Sequence, residues 1–161
     1  MPLGRAYIHG VALDRLKQIL VPTDFSDASG TPLRAAIELA QALGAAIEVF
    51  HVDVDLSDDS LLAESIIPVQ AVFESQRAET AQHLRRVTDQ VRQAGVPCTA
   101  SAELGRSADA IVEHARRSGT GLIVLGKHVG RSRRPALFGH VVEKVIGRAP
   151  CPVLVVPLPP E

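Results

Sequence analysis

Two short segments combine residue types that can hold a small polar ligand. Pro22-Thr23-Asp24-Phe25-Ser26 ends the apolar run that begins at Gln18, and Gly126-Lys127-His128-Val129-Gly130 follows the apolar run Gly121 to Leu125. Asp24 can accept hydrogen bonds from a ribose or an adenine edge. The glycine loop, together with the amides that open the last helix, can meet phosphates. Each residue also has a plainer role. Asp24 can cap the first helix or tie down its own turn, and Gly126 and Gly130 can serve turn conformations alone. Arg131, Arg133 and Arg134 suit a phosphate clamp or an ordinary solvated surface. Position favours the ligand chemistry, because both segments stand at strand ends. Rival chemistries lack their motifs: the chain has no GxxxxGK[ST] loop, no GxSxG elbow and no serine-glycine-glycine loop after the first strand. The six histidines show no HxxxH or HExxH spacing, so no metal site is expected, and His128 and His140 are candidate bases by position only.

Alternating strands and helices must position these segments. Gln18 to Pro22 reads as a buried strand, followed by a helix with apolar positions at Leu33, Ala36, Ile37, Ala40 and Leu43 and a closing Gly44. Its start is open between Ser26-Asp27 and Thr31-Pro32. Ala46 to Val52 is a second strand, and the acidic stretch Asp53 to Pro68 an irregular connection or flap. A long helix is expected from Val69 to Gln93, with Phe73, Ala81, Leu84, Val87 and Val91 inward and Gly95 ending it. Val96 to Glu103 follows as a third strand. Ser107 is read as the cap of a helix with the stripe Ala108, Ile111, Val112 and Ala115. Gly121 to Leu125 is a fourth strand. A last helix carries Val141, Val142, Val145 and Ile146, and Val153 to Val156 is a fifth strand. This alternation is the mark of right-handed βαβ crossovers and a doubly wound, mostly parallel, Rossmann-like sheet with helices on both faces.

Composition agrees. The chain has 161 residues, enough for one domain with its own core. A net charge of −1 excludes a general nucleic-acid binder. No apolar run is long enough for a membrane span, and Met1 to Gly10 lacks the apolar core of a signal peptide, so a cytoplasmic protein is expected. Cys98 and Cys151 belong to no CxxC pair and are expected as free thiols.

The order of motifs resembles the universal stress protein family. Ile19 to Ser26 looks like its opening strand and loop, and His51-Val52 falls where its second strand closes. Leu122 to His128, Phe138 to Ile146 and Ala149 to Val156 are similar to its C-terminal third. The likeness covers about residues 17 to 157, leaving residues 1–16 as an N-terminal extension to a 17–161 domain. It implies five strands in the order 3-2-1-4-5 and a cleft for ATP, ADP or AMP after strands 1 and 4, with magnesium beside the phosphates. Carried over by position, adenosine would meet Pro22, Thr23, Asp24, Val52, Leu125 and Gly126. The phosphates would meet the 128–130 loop (His128, Val129, Gly130), then Gly139, His140 and Val141.

Family members that hold ATP carry a second glycine where this chain has Val129, and a serine or threonine where it has His140. Valine disfavours positive φ, and an imidazole replaces a compact hydroxyl. Two readings result. One is a stress or signalling module that binds an adenine nucleotide without dedicated catalysis and is not expected to be an enzyme, weak ATP hydrolysis being left open. The alternative is a member whose phosphate site has degenerated and which acts through protein contacts. Both imply a homodimer through the uncharged last strand, Val153, Leu154, Val155 and Val156.

Overall fold

Apolar residues at successive positions of the strands need cover on both faces of a sheet. The computed structural model, which describes residues 7–8, 11–12, 15–53, 69–127 and 140–158, provides it. Five strands, β1 (Gln18–Thr23), β2 (Ala46–Asp53), β3 (Cys98–Leu104), β4 (Leu122–Lys127) and β5 (Val153–Pro157), form one sheet in the order β3-β2-β1-β4-β5. All four pairings are parallel. Ile19 and Val21 of β1 and Leu122 and Val124 of β4 face one core. The intervening Leu20, Ile123 and Leu125 face the other. The first core is closed by α1 (Gly30–Leu43) through Leu33, Ala36 and Ala40, and by α2 (Val69–Gln93) through Leu84 and Val91. The second is closed by α3 (Ser107–Ser118) and α4 (His140–Arg148) through Ile111, Val112, Val142 and Val145. The expected doubly wound, Rossmann-like fold and its strand order are both observed.

Helix ends resolve what the sequence left open. A 3₁₀ turn, Asp27–Ser29, begins after Ser26 and runs directly into α1, so the earlier start signal marks the entry, while Thr31 and Pro32 sit inside the first turn behind the cap Ser29 and the first residue Gly30. Gly44 closes α1 at φ +60°. Two expectations are corrected, and the buried face of α4 is defined. Ser107 is the first residue of α3, not its cap; that position belongs to Arg106, which makes no side-chain cap bond. Ala81 is exposed, and Thr80 takes the inward place because its hydroxyl donates to the buried Asp53 carboxylate at 2.8 Å. On α4 only Val142 and Val145 are buried, while Val141 and Ile146 are exposed. The expected connection beyond Asp53 and the loop from His128 to Gly139 lie outside the described residues.

Before β1, residues 7–8 and 11–12 pair as a small antiparallel ribbon. Leu16 then packs on the first core, and the Arg15 carbonyl lies against Gly121. Cys98 and Cys151 are free thiols at opposite edges of the sheet, Cys98 in β3 and Cys151 just before β5. Burial pushes both thiols above the usual range. Among the described residues no helix is long and apolar enough to cross a membrane.

Gly121 has no room for a side chain: a Cβ there would stand 1.8 Å from the Arg15 carbonyl oxygen. Gly147, inside α4, has open space around it. Gly121→Ala is expected to lower stability by about 1–3 kcal/mol through overpacking. Gly147→Ala should raise it by about 0.5–1 kcal/mol through helix propensity. Urea denaturation of the two variants checks the pair, and equal effects would contradict the packing described.

Candidate functional site

The cleft opens where the winding reverses. From β1 the chain crosses to β2 through α1 on one face, and from β4 it crosses to β5 through α4 on the other, so β1 and β4 separate at their C-terminal ends. Their ladder registers only Ile19 with Leu122 and Leu20 with Ile123, against six pairs between β1 and β2. Local chemistry explains the early end. Gln18 accepts from the Gly121 amide on the β4 side and Lys17 from the Ala46 amide on the β2 side, so even-numbered residues of β1 bond toward β4. The next even position is Pro22, which has no amide hydrogen to give.

A cavity of about 400 Å³ fills the gap. Pro22, Thr23 and Asp24 line one side, Leu125 and Gly126 the other, and Phe50 and Val52 extend it along β2. The first residues of α3 (Ser107) and of α4 (His140 and Val141), with Ser29 just before α1, reach the same space. Three helix N-termini thus bring partial positive charge to a cleft whose walls are largely apolar. Gly126 is needed for packing as well as access. A Cβ there would lie 3.0 Å from Leu158 Cδ2 and 3.3 Å from Pro32 Cγ, both part of the cavity wall.

The turn that carries Asp24 is strained. Phe25 has φ +60°, a conformation that costs a non-glycine residue free energy and persists only when its surroundings hold it. Its amide donates to Thr23 Oγ1 at 3.1 Å, and its ring stacks between His51 and His83 at centroid distances of 4.3 and 4.9 Å. Asp24 Oδ1 accepts from the Ser26 amide at 3.0 Å and from Ser26 Oγ at 2.7 Å, so the turn-tying role foreseen for it is real. His51 Nδ1 lies 2.8 Å from the Thr23 carbonyl oxygen, and its Nε2 is 3.4 Å from Asp53. The turn is therefore anchored through β2 and Asp53 to Thr80 on α2.

Eight expected residues come together around this one cavity: Pro22, Thr23, Asp24, Val52, Leu125, Gly126, His140 and Val141. The other four, His128, Val129, Gly130 and Gly139, lie outside the described residues. Sequence reading missed Phe50, His51, Ser107, Ile111 and Leu158 as wall residues. His51 and Phe50 could have been found, since both directly precede Val52 on a strand aimed at the cleft. Leu158 carried no signal; it reaches the cleft because its amide donates to the Lys127 carbonyl at 2.8 Å.

An open parallel sheet with a cleft at its switch point defines a doubly wound α/β protein built to hold a ligand at the strand ends. The universal stress protein family model matches residues 15–157. A universal stress protein of Methanocaldococcus jannaschii is 34% identical over 144 residues, covering 89% of this chain and 83% of that protein. This chain belongs to the universal stress protein family. Among solved structures, universal stress protein UspA from Lactobacillus plantarum superposes with a TM-score of 0.73 at 24% identity, covering 88% of this chain and 98% of the other. The universal stress protein from Archaeoglobus fulgidus in complex with dAMP gives 0.60 at 22% identity, with 88% and 97% covered.

Behind the cleft, Phe50 stacks on His114 with ring centroids 4.2 Å apart. His114 is buried on α3, its Nδ1 2.9 Å from Glu103 Oε1 and its Nε2 2.8 Å from Glu48 Oε1. Glu48 also accepts from Ser101 Oγ at 2.8 Å. Both ring nitrogens thus meet carboxylate oxygens. Arg117 and His114 hold the Glu103 carboxyl below the usual glutamate range. Because its folded value is lowered, Glu103 stabilises the protein above its unfolded value and loses that contribution as pH falls through the folded one. Glu103→Gln should therefore lower Tm at neutral pH and flatten the acid limb, with the two Tm curves converging at low pH. Parallel curves would contradict this role.

Proposed function

We propose that this chain binds an adenine nucleotide in the cleft between the ends of β1 and β4 and serves as a stress-response module without dedicated catalysis. One observation carries the reading: Asp24, Val52, Gly126 and the N-terminus of α4 converge on one cavity. The carboxylate suits a ribose or adenine edge, the apolar walls suit a purine, and the helix end suits phosphate. The family relative bound to dAMP supports the same class of ligand. On the phosphate side, His140 heads α4 where a hydroxyl residue is usual in ATP-holding members, so the imidazole donates to the phosphate in its place. ATP, ADP and AMP are all ligands of this class, and magnesium enters only as a companion of their phosphates. Two free thiols fit a reducing, cytoplasmic setting.

The rival reading is a protein that has lost its phosphate site and works through a dimer. What favours it is the β5 edge, which is uncharged from Val153 to Val156 and exposes Leu154. In either reading, two copies meeting antiparallel through β5 satisfy both edges about a two-fold axis.

Thermal denaturation with AMP, ADP and ATP in turn tests the nucleotide. At least one should raise Tm, by the equivalent of about 2.7 kcal/mol at a hundredfold excess over Kd. Asp24→Ala should lose most of the shift. No shift with any of the three, together with a gain in the Val129→Gly, His140→Ser double variant, would establish the rival reading. Sedimentation tests the dimer: the parent should be dimeric and Leu154→Lys a folded monomer. A parent that is monomeric at about tens of micromolar, where a standard-sized interface should form, would rule the dimer out.

A further inference from the structure

We propose that a second cavity, on the opposite face of the sheet, is a binding site for a small aromatic carboxylate. It lies between the start of α1 and the middle of α2, above the ends of β1 and β2, with a volume of about 230 Å³. The inference is independent of the nucleotide reading.

The lining sorts by chemistry. Val21, Leu33 and Val49 are buried and, with Val87, make an apolar floor. Phe25 and His83, stacked face to face at an interplanar angle of 21°, turn their ring edges to the cavity and make its aromatic side. Arg86 and Gln90, one turn apart on α2, stand at the rim. Arg86 is exposed, and its polar partner among the described residues is His83 Nδ1 at 3.3 Å, not a carboxylate. Its guanidinium fork is therefore available to a carboxylate, which it matches with two parallel hydrogen bonds.

Volume and charge narrow the ligand. The space is below the range of pockets that hold drug-sized molecules, so it suits a single ring. That ring meets the edges of the Phe25–His83 stack, an edge-to-face contact, above the valine floor. Asp27 on the α1 side of the lining adds a negative charge, which disfavours a dianionic phosphate and leaves a monoanionic carboxylate as the better match for Arg86.

The site shares its frame with the cleft. Thr23, Ser26 and Ser29 line both cavities, whereas Asp24 lines only the cleft and Phe25 only the second cavity. These two consecutive side chains therefore stand on opposite sides of the sheet end. A ligand pressed on Phe25 therefore acts on the turn that aims Asp24.

The test is a titration of the ¹⁵N-labelled full chain with sodium benzoate, followed by amide shifts. Acetate (charge without ring) and benzyl alcohol (ring without charge) are the controls. Saturable shifts confined to residues 23–30 and 83–90 are expected, with affinity about tenfold lower for either control and for Arg86→Gln. Arg86→Lys, which keeps the charge but loses the fork, should fall between. Shifts that do not saturate, that spread over the surface, or that are equally strong in Arg86→Gln would overturn the proposal. Unchanged spectra away from the cavity show that the variants are folded.

Discussion

Pro22 sits at the position in β1 where the next ladder bond to β4 would need an amide hydrogen. Its absence ends the β1–β4 ladder after two registered pairs, while the β1–β2 ladder runs on for six. Everything that makes the cleft depends on that early end. The crossovers α1 and α4 leave on opposite faces, so once the ladder stops, nothing in the sheet holds Thr23 and Gly126 together. The resulting gap is walled by residues that also belong to the second core, such as Leu125 and Phe50. It is rimmed by helix N-termini because, in a parallel sheet, every strand end points toward the start of a following helix.

The second constraint is how the turn after Pro22 is held open. A bulky residue at φ +60° relaxes unless something clamps it. Here the clamp is the ring stack of His51, Phe25 and His83, joined to β2 through the His51–Thr23 contact and to α2 through Asp53 and Thr80. The strained turn thus spans both faces of the sheet. Asp24 serves one face and Phe25 the other, and the same rigid frame supports two cavities.

The elements were legible where residues act locally. Apolar runs gave the strands, helical spacing gave the helices, and Val69–Gln93 matches its expected bounds at both ends. Half of the cleft was also readable, because Pro22 to Asp24 and Leu125-Gly126 close strands whose partners follow from the family's order. What was hidden depends on partners distant in sequence. Thr80 displaces Ala81 on the inner side of α2 only because Asp53 is buried there. Ser107 became the first residue of α3 because Arg106 adopts the extended cap conformation. Leu158 joins the cleft through Lys127 and Gly126, and no local pattern announces that. The Phe25 clamp was invisible for the same reason, since His83 lies far along the chain in α2.

The central claim is that the gap opened by Pro22 receives an adenine nucleotide. A crystal structure of the chain grown with saturating AMP tests it most directly. The account predicts the adenosine against Pro22, Asp24, Val52 and Gly126, with the phosphate at the head of α4 beside His140. An empty cleft under those conditions, or AMP seated between α1 and α2 instead, would contradict it.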